Sequence, residues 1–185
     1  RTIIGNTSGK LKINQEFTME YSIKPQPIKA TQEAKAKEVI LVLDTSSTMT
    51  QDMSGGSNAA TENQKITILK NTAKAFVERL KGNKNVSVGI VSYNSGATAH
   101  IIKDNKELIP SSEKAAINSV IDNLKLGEGS NTGDGIRKAL WLLQRNTNTE
   151  KYIVVIGDGT TDYFTYDKSN NNYNLYTAID NESSS

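Results

Sequence analysis

The stretch at residues 39–50, VILVLDTSSTMT, constrains the fold more than any other. Five apolar residues in a row are the pattern of a strand covered on both faces, and the run stops abruptly at Asp44. A carboxylate at the end of such a strand must find partners, and the next residues, Thr45, Ser46, Ser47 and Thr48, offer only hydroxyls. Two further runs read as strands: residues 86–93, VSVGIVSY, and residues 152–156, YIVVI, the latter again expected to be buried like 39–43 and ending at Gly157-Asp158-Gly159. Between them the apolar spacing becomes helical. Ile66, Leu69, Ala73, Phe76, Val77 and Leu80 mark a helix over residues 65–81. Ala115, Ala116, Ile117, Val120, Ile121 and Leu124 mark a second, after Pro110. Residues 127–145, GEGSNTGDGIRKALWLLQR, run from a glycine-rich loop into a third helix, with Ile136, Ala139, Leu140 and Leu143 expected on its inner face. Residues 97–102 are expected to be a short strand reached through Asn94-Ser95-Gly96. Strands alternating with helices predict an α/β fold, a mostly parallel central sheet with helices on both faces.

Composition narrows the chemistry. The 185 residues contain no cysteine and one histidine, His100, so thiol catalysis, cysteine-based zinc sites and histidine-rich metal sites are ruled out. The formal net charge is +2, with lysines scattered among glutamates, so nucleic acid is not an expected partner. No run approaches the roughly 20 apolar residues of a membrane helix, and no membrane insertion is expected. The chain begins at Arg1 without methionine or signal peptide and reads as a piece of a longer protein.

Residues 1–37 have a different texture. FTMEYSI (17–23) alternates as a half-buried strand does, and KPQPIKATQEAKAK (24–37) reads as a linker. This segment is expected to be a β-rich extension or the edge of a neighbouring domain, followed by an α/β domain over 38–185. In the polar tail, DKSNNNYN (167–174) has some features of a calcium loop. It lacks the sixth-position glycine, and Ala178 stands where a bidentate glutamate is needed, so a surface loop is expected.

Three loops belong at one edge of the predicted sheet, where open α/β sheets bind ligands. They are Asp44-Thr45-Ser46-Ser47-Thr48, Gly129-Ser130-Asn131-Thr132-Gly133 and Gly157-Asp158-Gly159. They offer two carboxylates and several hydroxyls, with no nitrogen or sulfur ligand, a donor set suited to a hard cation such as Mg²⁺. The alternation Asp44-x-Ser46-x-Thr48 suits a turn that presents every second side chain inward. Enzyme activity is not expected. No Gly-x-Ser-x-Gly elbow accompanies His100. The glycine-rich loop lacks the Lys-Ser/Thr of a phosphate-binding loop and follows a helix rather than a strand.

DTSSTM, GSNTGDGIRKAL and VVIGDG, in this order, resemble the von Willebrand factor A domain and the three loops of its metal-ion-dependent adhesion site. The resemblance runs from about residue 38 to 159. It implies a Rossmann-like fold and a metal held by Asp44, Ser46, Thr48, Ser130 and Asp158, with Mg²⁺ or Mn²⁺ as cofactor. Two letters depart from the family pattern: Thr48 stands for a serine and Ser130 for a threonine. An alternative alignment makes Thr132 the second-loop ligand. The resemblance further implies a protein-binding module, most like those of Gram-positive surface or pilus adhesins. It would act outside the cell, associated with cell wall or pilus, and bind a host or matrix protein through that partner's acidic residue. A different reading is an intracellular assembly subunit working with an ATPase. Domains of this family continue past the last metal aspartate, so the C-terminal part is expected to be incomplete here.

Overall fold

The computed structural model describes residues 35–164 together with 2–4, 18–20, 166–167 and 174–175. Its elements run β1 (Thr2–Ile4), β2 (Thr18–Glu20), β3 (Lys37–Asp44), α1 (Lys65–Leu80), β4 (Val86–Tyr93), β5 (Ala97–Ala99), β6 (Leu108–Pro110), α2 (Lys114–Asp122), α3 (Thr132–Leu143), β7 (Glu150–Ile156), β8 (Tyr166–Asp167) and β9 (Asn174–Leu175). The chain divides into two compact units, Arg1–Glu33 and Ala34–Ser185. In the first, β1 and β2 pair antiparallel, with Ile3 opposite Met19. Of the strand expected over 17–23, residues 18–20 are seen as β2. The rest, and most of the expected linker, lie outside the described residues.

The second unit is built around β3. It pairs in parallel with β4 on one side and β7 on the other, while β5 and β6 add antiparallel to the far edge of β4. Ile40, Leu41, Val42 and Leu43 are all fully buried. Their alternation explains why the run is continuously apolar. Val39, Leu41 and Leu43 face Ile66, Leu69, Ala73 and Val77 of α1 and Ile117 and Ile121 of α2. Ile40 and Val42 face the opposite way, onto Ala139, Leu142 and Leu143 of α3. Each such side chain withdrawn from water contributes about 1.5–3 kcal/mol before chain entropy is counted. The mostly parallel sheet with helices on both faces is the architecture the sequence predicts.

Two expectations about packing are corrected. The inner face of α3 is the stripe Gly135, Ala139, Leu142 and Leu143, whereas Ile136 and Leu140 are exposed. Residues 139–143 are apolar all round the helix, so periodicity could not choose the face. β7 is not covered on both sides either: Tyr152 and Val155 are 45% and 42% exposed, since among the described residues only β3 lies beside it. The strand expected over 97–102 is shorter, ending at Ala99, and β6 was not anticipated. β8 and β9 pair antiparallel, Asp167 opposite Asn174, and the residues between them lie outside the described set.

Candidate metal centre

Parallel pairing sets the site's first contact. Asp44 and Tyr93 are register partners at the ends of β3 and β4, so their side chains rise on the same face of the sheet. Asp44 is fully buried. Its Oδ1 accepts from the Ser46 backbone N–H at 2.8 Å and its Oδ2 from the Tyr93 phenol at 3.1 Å. Burial, followed by the neighbouring Asp44 charge, pushes the Tyr93 phenol above its ordinary value, against a hydrogen bond from Thr132 that works the other way. A protonated phenol there is a permanent donor to the carboxylate.

After Asp44 the chain turns through a 3₁₀ segment, Ser47–Thr50. The Thr45 hydroxyl is used up on the Tyr93 carbonyl at 2.8 Å, and Ser47 faces solvent. The Ser46 and Thr48 hydroxyls meet at 3.0 Å, and Thr48 Oγ1 donates to Asp158 Oδ2 at 3.2 Å. Asp158, two residues past β7, also accepts from the Thr160 backbone N–H at 3.1 Å. Lys65, the first residue of α1, donates to Asp158 Oδ2 at 3.0 Å. Burial works to raise the Asp158 carboxyl, but the Lys65 ammonium, the Thr160 N–H and the Thr48 hydroxyl outweigh it and hold the group below its usual range.

The second loop is tied to its neighbours by backbone contacts. Gly127 N–H donates to the Thr45 carbonyl at 2.8 Å and Asn131 N–H to the Asn94 carbonyl at 2.7 Å. The Asn131 side chain caps α3 by accepting from Asp134 N–H at 3.1 Å. Ser130 is buried and engaged with the loop after β7. Its N–H donates to Asp162 Oδ1 and its hydroxyl to the Thr160 carbonyl, both at 2.6 Å. Thr132 Oγ1 lies 3.0 Å from Thr161 Oγ1.

The fold therefore brings Asp44, Ser46, Thr48 and Asp158 into one linked set of oxygens. Ser130 and Thr132 border that set, with their hydroxyls directed to Thr160 and Thr161. Among the described residues no three His, Cys, Asp or Glu side chains gather as a metal cluster. The set fits a hard divalent cation through its composition: two carboxylates to balance the charge, and neutral hydroxyls between them. Asp134 stands apart. It accepts from Ala97 N–H at 2.7 Å and pairs with Arg137, joining α3 to β5.

Sequence reasoning missed two residues. Tyr93 was within reach of it, because aligning the ends of two parallel strands places a β4 terminus beside Asp44. Nothing local marks Lys65, whose contact with Asp158 spans 93 positions.

A family model described as von Willebrand factor type A domain matches residues 39–160. Among solved structures the chain is similar to the PilB minor pilin from Streptococcus sanguinis, at 26% identity and a TM-score of 0.61, over 77% of this chain and 33% of that one. The vWF domain of the type V pili tip protein Mfa5 from Porphyromonas gingivalis is similar at 19% identity and a TM-score of 0.56, over 72% of this chain and 42% of that one. The pilus adhesin SpaC from Lactobacillus rhamnosus GG, in its open conformation, is similar at 20% identity and a TM-score of 0.56, over 73% of this chain and 16% of that one. The last two likenesses concern the fold alone. The chain spans about a third of the length of the PilB pilin. No curated protein matches it in sequence.

Proposed function

The chain belongs to the von Willebrand factor type A domain family, and on that premise we propose that it is a metal-dependent protein-binding module of a bacterial pilus or cell surface. Asp44, Ser46, Thr48 and Asp158 would hold Mg²⁺ or Mn²⁺, with Ser130 completing the set and Thr132 as the alternative donor from the same loop. The observation that carries the reading is the linked oxygen set at the ends of β3 and β7, joined through Ser46, Thr48 and Asp158. The likeness to a streptococcal minor pilin supports the surface location.

A bound divalent cation would supply an electrophilic centre open to a carboxylate. The chain's own groups set its environment. Tyr93 and the Ser46 N–H fix the Asp44 carboxylate in orientation. The neutral hydroxyls of Ser46 and Thr48 add donors without adding negative charge, so a partner's Glu or Asp is not repelled. Such a contact gives specificity and a salt-sensitive association rate. The partner would be a host or matrix protein presenting an acidic side chain.

Calorimetric titration of MgCl₂ and MnCl₂ into the wild-type chain and Asp44→Asn tests this. Saturable binding is expected for the wild type and its loss in the variant. Equal heats from the two proteins would remove the site.

A further inference from the structure

Lys65 and Asp158 form an ion pair whose side chains are only 15% and 9% exposed. The ammonium sits on Asp158 Oδ2, the same oxygen that accepts from Thr48. That oxygen faces the hydroxyl set, so it is the one a cation in the set would use. We propose that Lys65 is a tethered competitor for this site: its ammonium neutralises Asp158 in the metal-free domain and must be displaced for a divalent cation to bind. The inference rests on the metal-binding reading above.

Three further features support it. First, Lys65 opens α1, where the helix dipole disfavours a cation; the charge is offset there by carboxylates, Asp158 in direct contact and Asp52 at longer range. Second, the Lys65 backbone is fixed, its N–H donating to the Gln51 carbonyl at 2.9 Å. The ammonium is thus held on a short leash beside the turn that carries Ser46 and Thr48. Third, the side chain has somewhere to go. Lys65 and Asp158 line a cleft of about 370 Å³ whose other walls include Met49, Met53, Ile68 and Ile156. An ammonium and a dication cannot share one carboxylate oxygen without strong repulsion. Binding of one therefore requires withdrawal of the other, and the cleft receives the displaced stem while its ammonium reaches water.

The test is Mn²⁺ and Mg²⁺ titration of the full 185-residue chain as wild type, Lys65→Met, Lys65→Gln and Lys65→Arg, with thermal melts of each protein with and without metal. The neutral variants are expected to bind roughly tenfold more tightly, the scale of one partly buried charge contact. They are also expected to melt lower without metal and to gain more on its addition, while Lys65→Arg keeps wild-type affinity. Binding by Lys65→Met with none by the wild type would support the same conclusion. Wild-type binding left unchanged or weakened in both neutral variants would overturn the competitor role and leave the metal site standing. No binding by any of the proteins would overturn the metal reading and this inference together. Two neutral variants are used so that poor folding of one does not decide the outcome.

Discussion

Tyr93 donates its phenolic hydrogen to Asp44 Oδ2 at 3.1 Å, across the register pair that ends β3 and β4. The bond joins a fully buried carboxylate to the neighbouring strand, so the sheet itself holds the first wall of the site.

Tyr93→Phe removes that donor and leaves a buried carboxylate oxygen one partner short. The metal-free domain is expected to lose about 1–3 kcal/mol of unfolding free energy, read by urea denaturation. A change within a few tenths of a kcal/mol would mean that water replaces the phenol at no cost.

Gly157 lies where the chain leaves β7 for Asp158. A Cβ added there would stand 2.5 Å from the Tyr93 hydroxyl and 2.9 Å from Asp44 Oδ2. Gly157→Ala is expected to destabilise by about 1–3 kcal/mol, as overpacking does, and to weaken metal binding by moving Asp44. Gly135→Ala is the comparison. Its Cβ would meet Val42 Cγ1 at 2.8 Å and Tyr93 Cδ1 at 2.9 Å, lifting α3 from the sheet. Wild-type melting of both variants would show that α3 and the β7 turn give way more easily than their packing implies.

The two candidates for the proposed second-loop ligand are separable by mutation. Ser130→Ala is expected to reduce Mn²⁺ affinity more than Thr132→Ala does in the same calorimetric titration. The reverse order would assign the role to Thr132. The Ser130 hydroxyl also holds the Thr160 carbonyl, so melts without metal are needed to separate a lost ligand from a loosened loop.

One source of acid sensitivity outside the site is a histidine. His100 lies 2.8 Å, Nε2 to Oγ, from Ser92, and burial lowers its pKa below the ordinary 6.5. The fold therefore favours the neutral ring. Its contribution to stability is complete above pH 6.5 and is lost as the pH falls through the folded-state value. His100→Gln is expected to flatten the decline in melting temperature just below pH 6.5, and an unchanged slope would place the sensitivity elsewhere.

The central strand and the place of Asp44 and Asp158 at strand ends were legible in the sequence because their signals are local. Five apolar letters followed by Asp44 mark both the burial of β3 and its end, and Asp158 follows β7 in the same manner. The face of α3 was not legible, because Leu140, Trp141, Leu142 and Leu143 point in every direction and the choice depends on Gly135 fitting against Val42 and Tyr93. Exposure along β7 depends on which strands lie beside it, and its own letters do not carry that information. The contacts of Ser130 and Lys65 are made with residues that follow β7, which no spacing rule links to a helix start or a glycine-rich loop.

Strand order also has a kinetic side. Lys37, at the start of the central strand, pairs with Val86 and with Glu150, so β3 leaves the ribosome early and gains its second neighbour only after α3 has been made. Such distant parallel pairings fold slowly, and an apolar strand awaiting one is open to mispairing. Stopped-flow refolding followed at Tyr152 should report the slowest step as closure of β7 onto β3, after the helices have formed.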